Sequence, residues 1–336
     1  MQIGLIGWYG KSNAGDERIL YCIQRFFASD EIVITTAWQN AWERIDELNR
    51  CDFVLIGGGG LVLRGVNRWT KLLTALKPPF GCIGISVETQ HPDAQEFINI
   101  LKARARFILV RDKQSATYLD ENSKVIIGPD LTFLYPYDIT SQVKEEVLAL
   151  NLRPWHYWRS ELDSTGYAWM QRLNELFPTA EKFYPLPKWK PVRVINQLAQ
   201  HFDSIIPVPL DTKPGTTGDV TLLQAYFKDV SDTFRPDRLA ASRYLIGMRL
   251  HSLIFACQMG IPFLSLSYMP KNHQFCTSLG LEEFSLSLYK LSLFPKALAN
   301  LQVKSEELRE KLVEIRDLNH VTIHQIMTHI QRLMIK

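Results

Sequence analysis

The sequence predicts an α/β protein of two doubly wound lobes, and three observations carry that expectation. Its 336 residues exceed what one ordinary core holds, so two domains of roughly 150 residues each are expected. Short β-rich apolar runs alternate with helix-spaced segments through the first lobe, the rhythm of βαβ units around a parallel sheet. After a break, a second series of the same kind begins.

The first lobe is expected over 1–135. Its strands are the buried-type runs Ile3–Ile6, Ile32–Thr35, Phe53–Ile56, Cys82–Val87, Phe107–Val110 and Val125–Ile127, each too apolar throughout to leave one face in water. Helices fall between them at Asp16–Phe27, Ala41–Asn49, Trp69–Leu76, Ala94–Ala103 and Gln114–Asp120. The stretch Leu131–Lys144, with Tyr135-Pro136-Tyr137-Asp138, breaks the rhythm and reads as the linker. The second lobe, over 145–300, contributes strand Val147–Leu152, helix Asp163–Leu176, strand Lys182–Leu186, helices Val192–Phe202 and Leu222–Asp229, and strands Tyr244–Gly247 and Pro262–Ser267. A long helix closes the chain over 304–336. Its apolar stripe runs through Leu308, Leu312, Ile315 and Leu318, then Ile323, Ile326, Ile330 and Leu333, a face for docking on a core. Two Rossmann-like lobes facing a central cleft give a glycosyltransferase-B-like architecture, with ligands outside the carboxyl ends of the strands.

Composition narrows the function classes. Hydrophobic residues make up 46% and charged residues 22%, an ordinary globular profile. The net charge of only +3 and the lack of a basic tract argue against nucleic acid as a partner. Five cysteines, Cys22, Cys51, Cys82, Cys257 and Cys276, form no Cys-x-x-Cys pair, as expected of reduced thiols in a cytoplasmic protein. Met1-Gln2 leads directly into Ile3–Gly7 without a basic segment, so no signal peptide is expected. The longest apolar stretch, Leu253–Met269, is interrupted by Gln258 and Pro262 and is not expected to span a bilayer. No metal-ligand spacing is present.

Chemistry concentrates in a few segments. Gly247–Lys271 reads as strand end, helix start, glycine stop, buried strand and second loop, which brings Arg249, His251 and Lys271 to one sheet edge as an anion site. The loop Gly7–Glu17 follows the first strand and opens a helix; Asn13 and Asp16 sit where free N–H groups attract an anion or a sugar hydroxyl. It matches neither the dinucleotide fingerprint nor the phosphate-binding P-loop. In a plainer reading Asp16 complements the helix dipole and Asn13 serves locally. Gly57-Gly58-Gly59-Gly60 precedes a helix-leading segment; Gly58, Gly59 and Gly60 point to a ligand pressed on the backbone or to a tight strand-to-helix turn. Arg111, at the end of the fifth strand, is placed to clamp a carboxylate or phosphate, or else to pair with Asp112 or another carboxylate. In Asn151–Arg159, Arg153 and Trp155 suit a sugar face and an acidic group, or a tryptophan-rich packing loop.

Taken in order, Asn13-x-Gly15-Asp16-Glu17, the glycine run, Val110-Arg111-Asp112, Gly128-Pro129-Asp130, Gly247-Met-Arg249-Leu-His251-Ser252 and Tyr268-x-Pro270-Lys271 resemble the polysaccharide pyruvyltransferases, particularly those acting on cell-wall polysaccharide. The resemblance spans residues 7–271. It implies transfer of the pyruvyl group of phosphoenolpyruvate to two hydroxyls of one sugar, forming a ketal and releasing phosphate without a cofactor. Arg111, Arg249 and Lys271 are then expected to hold the donor's anionic groups, His251 to protonate carbon 3, and Asp16 to serve as acceptor base. Met269 stands where relatives carry an acidic residue, and no motif aligns over Tyr157–Thr217, where acceptor recognition is expected. The acceptor is expected to be a lipid-linked or polymeric saccharide; a lipid-linked one would bring the enzyme to the inner face of the membrane, and a homo-oligomer is compatible with the chain. The competing readings are a nucleotide-sugar glycosyltransferase of similar two-lobe fold and a catalytically silent binding protein, against which Arg249 and His251 both stand.

Overall fold

A computed structural model describes residues 1–27, 31–62, 66–88, 92–120, 122–137, 144–155, 191–213 and 218–335. The expected helix Asp163–Leu176 and strand Lys182–Leu186 lie outside the described residues, as does most of Tyr157–Thr217. The chain divides into two compact units, Met1–Pro136 with Arg316–Lys336, and Tyr137–Ile315. Each is α/β.

The first unit holds β1 (Ile3–Gly7), β2 (Ile32–Ala37), β3 (Phe53–Val62), β4 (Phe80–Val87), β5 (Ile108–Val110) and β6 (Val125–Ile127). They form a six-stranded sheet in the order β2-β1-β3-β4-β5-β6, with every pair parallel. Strands β1 and β4 are buried along their whole length, as the apolar runs require when helices cover both faces. Strand order reverses between β1 and β3. Helices α1 (Ala14–Phe26), α2 (Ile45–Leu48), α3 (Thr70–Ala75), α4 (Pro92–Arg104) and α5 (Lys113–Tyr118) connect the strands. The helix expected over Ala41–Asn49 is only the single turn of α2, preceded by a 3-10 turn at Trp38–Asn40. Trp38 packs edge-on against Trp69 and Phe97, while Trp42 stays half exposed. That packing satisfies the apolar spacing without a full helix.

The glycine run departs from expectation most clearly. Gly57–Gly60 lies inside β3 rather than in a loop leading to a helix. Gly58 and Gly59 have φ of +87° and +82°, and a Cβ at Gly59 would lie 2.7 Å from Asp16 Oδ1. At Gly58 it would meet Ile19 of α1 at 2.9 Å, and at Gly60 it would collide with the Glu88 carboxylate. The run therefore lets α1 and the end of β4 press onto the strand. Gly59→Ala is expected to lower stability by about 2 kcal/mol or more, the left-handed conformation alone costing about 1–2. Gly10→Ala supplies the control in denaturant unfolding: its φ is +68°, but nothing lies within 4 Å of the added Cβ, so only the conformational part should register.

The second unit holds β7 (Lys144–Asn151), β8 (Ser204–Pro207), β9 (Ser242–Gly247), β10 (Phe263–Ser267) and β11 (Ser285–Ser287), in the order β11-β10-β9-β7-β8 with parallel pairing throughout. Its order reverses between β7 and β9, and that switch point is where open parallel sheets bind ligands. The described helices are α6 (Val192–Leu198), α7 (Asp219–Gln224), α8 (Pro236–Ala240), α9 (Leu250–Gln258), α10 (Pro270–Ser278) and α11 (Phe294–Val303). All nine residues of α9 are buried, as its apolar composition on every side demands.

The last helix, α12 (Ser305–Ile335), runs 31 residues. Its buried positions are Leu308, Leu312, Ile323, Met327, Ile330 and Met334. The stripe drifts from the expected one: Leu318 is 67% exposed, in the part where the helix passes from one compact unit to the other. Among the described residues no helix is long and apolar enough to cross a membrane. All five cysteines are buried as free thiols; burial pushes Cys82 up to about 12.

Candidate functional site

In the first unit, the carboxyl ends of β1, β3, β4 and β5 carry the expected residues. Asn13 caps α1, its side chain accepting the Gly15 N–H at 3.1 Å, the local role expected of an N-cap Asn. Glu17 accepts the Lys11 N–H at 3.1 Å and tightens the same loop. Asp16 is 7% exposed and lies against Gly59, so Asp16 and the glycine run share one spot at the β1/β3 switch point. Tyr9 closes it from below, its hydroxyl donating to the Gly57 carbonyl at 3.0 Å.

Arg111 is not an open clamp. Its Nη1 pairs with Asp130 at 3.3 Å, and its Nε donates to Ser86 Oγ at 2.6 Å; both charged side chains are more than nine-tenths buried. Asp130 also accepts from the Thr132 N–H and hydroxyl at 3.0 and 2.8 Å. Asp112 caps α5 through Ser115, with contacts of 2.7 and 2.8 Å. The two sequence motifs around Arg111 and Asp130 thus meet in one ion pair that ties β5 to the turn after β6.

The second unit gathers more chemistry. Arg249, Arg153 and Tyr268 follow β9, β7 and β10, and Lys271 opens α10, so a parallel sheet brings all four to one edge. Arg249 is the N-cap of α9. Its backbone N–H donates to Asn151 Oδ1 at 2.9 Å, and Ser252 returns its hydroxyl to the Arg249 carbonyl at 2.6 Å. The guanidinium is held by Asp219, with Nε contacts of 2.8 and 2.9 Å, and by Asp211 at 2.9 Å. Burial alone would lower its pKa, but Asp219 first, then Tyr268 and Asp211, hold it above the usual arginine value. Asp219, fully buried, also accepts from Asn151 Nδ2 and from the N–H groups of Leu210 and Asp211, at 3.2, 3.0 and 3.2 Å. Arg249, expected to help hold the donor's anionic groups, is thus paired with two carboxylates.

Tyr268 is the residue the sequence reading left without a role. It is 3% exposed, and its hydroxyl accepts from Arg153 Nη1 at 2.9 Å. Burial pushes its phenol up, yet Arg153, Lys271 and Arg249 together bring it below the usual tyrosine value. A phenol responds this way only where the local potential is positive enough to outweigh desolvation. The edge thus keeps an attractive field for an anion even though Arg249 is paired. Trp155 packs edge-on against Tyr268 with centroids 4.6 Å apart, and the Arg153 guanidinium lies over both rings. At 6% exposure Trp155 offers no open indole face for a sugar. Its indole N–H, the Arg153 Nε and the Asn272 side-chain oxygen are buried without hydrogen-bond partners among the described residues.

His251 occupies the second position of α9 and is 9% exposed, its ring 5.9 Å from that of Phe255. It shares the helix start with Arg249, where N–H groups and the dipole add to the positive field. Lys271 holds the corresponding position in α10, after Pro270. Among the described residues no group of three or more His, Cys, Asp or Glu side chains could hold a metal ion.

The fold is similar to that of solved structures that cover nearly the whole chain. Anabaena Alr3699/HepE, in complex with UDP and glucose, aligns at a TM-score of 0.58 with 10% identity, covering 99% of each chain. A UDP-N-acetylglucosamine 2-epimerase aligns at 0.54 with 12% identity, covering 99% of this chain and 96% of its own. At such identity the likeness establishes a glycosyltransferase-B-like fold and nothing further. A search of the curated proteins found no match. The model of the polysaccharide pyruvyl transferase family matches residues 13–269, an interval that takes in the Arg111–Asp130 pair, the Arg249–Asp219 cluster, His251 and Tyr268, and the chain belongs to that enzyme family.

Proposed function

We propose that this protein transfers the pyruvyl group of phosphoenolpyruvate to two hydroxyls of one sugar in a cell-surface polysaccharide precursor, with the donor's anionic groups held at the carboxyl edge of the second unit's sheet. The observation that carries the reading is the Arg153–Tyr268 bond of 2.9 Å at the sheet edge, beside the starts of α9 and α10, with Arg153, Lys271 and Arg249 drawing the buried phenol below its usual value. Phosphoenolpyruvate bears a carboxylate and a phosphate on one three-carbon skeleton and needs such a field. Arg153 and Lys271 are the direct anion holders. Arg249, fixed by Asp219 and Asp211, acts as a positioning residue that sets the start of α9.

In this scheme His251 gives a proton to carbon 3, and carbon 2 becomes oxocarbenium-like. The first sugar hydroxyl attacks carbon 2 and loses its proton to a base. Phosphate then departs with the C–O bonding pair, and the second hydroxyl closes the ketal as it gives its proton to the phosphate; the first hydroxyl's proton restores the acid, so one donor and one diol yield one ketal and one hydrogen phosphate. Calorimetric titration of phosphoenolpyruvate tests the donor assignment. Wild type is expected to bind it, and Lys271→Ala to bind at least about tenfold more weakly, the worth of one charge-assisted contact. Binding of a nucleotide sugar in its place, with none of phosphoenolpyruvate, contradicts the assignment.

A further inference from the structure

A cavity of about 830 Å³ opens at the carboxyl ends of β10 and β11, within the size range of small-ligand pockets, about 300–1,000 Å³. It begins where the cationic edge stops: Tyr268, Met269 and Pro270 line it, so one loop borders both. Beyond them its wall mixes three kinds of group. Tyr289 and Leu293, 44% and 50% exposed, supply an aromatic face and an apolar step. Lys290 and Lys296 line it and make no ion pair among the described residues, while Glu282 and Glu283 bring carboxylates. Glu283 is kept ionised by Lys304 first and then Asn300, which hold its carboxyl below the usual range.

A hydroxyl chain stiffens the floor. Ser265 and Ser267 are 3.0 Å apart, Ser267 and Ser285 2.7 Å, and Ser285 Oγ meets His273 Nδ1 at 3.1 Å. The exposed His273 ring is thereby oriented on the cavity wall. Cations and carboxylates in alternation do not select a purely anionic ligand, which the carboxylates would repel. Donors and acceptors of both kinds around an exposed tyrosine face suit a neutral polyol, whose hydroxyls donate and accept and whose C–H face stacks on an aromatic ring.

We propose that this cavity is a saccharide-binding subsite, and, resting on the pyruvyl-transfer reading, that it presents the acceptor to the donor edge at Tyr268–Lys271. The test is saturation-transfer NMR of the full chain with a panel of methyl hexosides and N-acetylhexosamines, comparing wild type with Tyr289→Ala/His273→Ala. Both replaced side chains are exposed, and phosphoenolpyruvate titration of the same variant checks that the neighbouring edge is intact. Transfer to at least one sugar in wild type, weakened about tenfold or more in the variant, with unchanged phosphoenolpyruvate binding, is the expected result. No transfer from wild type, or undiminished transfer from the variant, overturns the subsite whatever the donor does. Saccharide binding without any phosphoenolpyruvate binding leaves the subsite standing and removes the pyruvyl-transfer reading instead.

Discussion

His251→Ala is expected to lower kcat by about 10²–10⁴-fold, the usual contribution of a positioned acid or base, while phosphoenolpyruvate binding changes by less than about tenfold. The asymmetry follows from what surrounds the ring. In the proposed scheme anion holding falls to Arg153 and Lys271, whose charges lower the Tyr268 phenol, and to the N–H groups at the start of α9, which the substitution leaves in place. The ring itself is held by burial and by Phe255, so its removal takes away a placed proton donor more than a charge. Steady-state kinetics beside calorimetric titration separate the two effects. Undiminished kcat would remove His251 from proton transfer, and loss of binding with kcat retained would make it an anion holder.

Asp219→Ala is expected to be the most destabilising single change in the second unit, by about 3–5 kcal/mol, the cost of breaking a buried ion pair by deleting one partner. Asp219 is fully buried and accepts from the Arg249 guanidinium, the Asn151 amide and two backbone N–H groups. Its loss leaves a guanidinium whose side chain is only 11% exposed with Asp211 as its one remaining carboxylate contact among the described residues and orphans the two N–H groups. Asp211→Ala removes the 2.9 Å contact with Arg249 and an exposed 3.3 Å bond from the Lys213 N–H, both of a side chain that is 20% exposed, so about 1 kcal/mol is expected there. Because the chain has two compact units, hydrogen exchange on peptides covering β9 and α9 is the appropriate readout. Protection in Asp219→Ala equal to wild type would show that the cluster does not hold the sheet edge.

Most of the fold was legible because it rests on periodicity. Apolar runs mark all six first-unit strands and those at β7, β9 and β10, but the outer strands β2 and β6 are not buried throughout as expected, Val33 and Ile127 each being 49% exposed, because strand order leaves them at the sheet's edges. The glycine run misled because a glycine loop and a strand flattened by an incoming helix use the same residues; only the Asp16 and Ile19 contacts distinguish them. In the site, the edge bearing Arg249, His251 and Lys271 could be read from strand-loop-helix spacing. The carboxylates that engage the arginines could not. Asp219 lies 30 residues before Arg249, and they meet only because β7 inserts between β8 and β9, a pairing that local spacing does not encode. Asp130 was visible as a motif, but its pairing with Arg111 arises from strand order. Tyr268 stood in a sequence motif, but the Arg153 bond that marks it joins residues 115 positions apart, a contact made by strand order.

In the proposed reaction phosphoenolpyruvate is the donor and a sugar diol the acceptor. Incubation of the protein with phosphoenolpyruvate and free or lipid-linked saccharides, followed by mass spectrometry of the acceptor and assay of released phosphate, tests it most directly. One phosphate released for each pyruvate ketal formed is expected, with both products falling together by about 10²–10⁴-fold in His251→Ala. Glycosyl transfer from a nucleotide sugar, with no phosphate released from phosphoenolpyruvate, would contradict it.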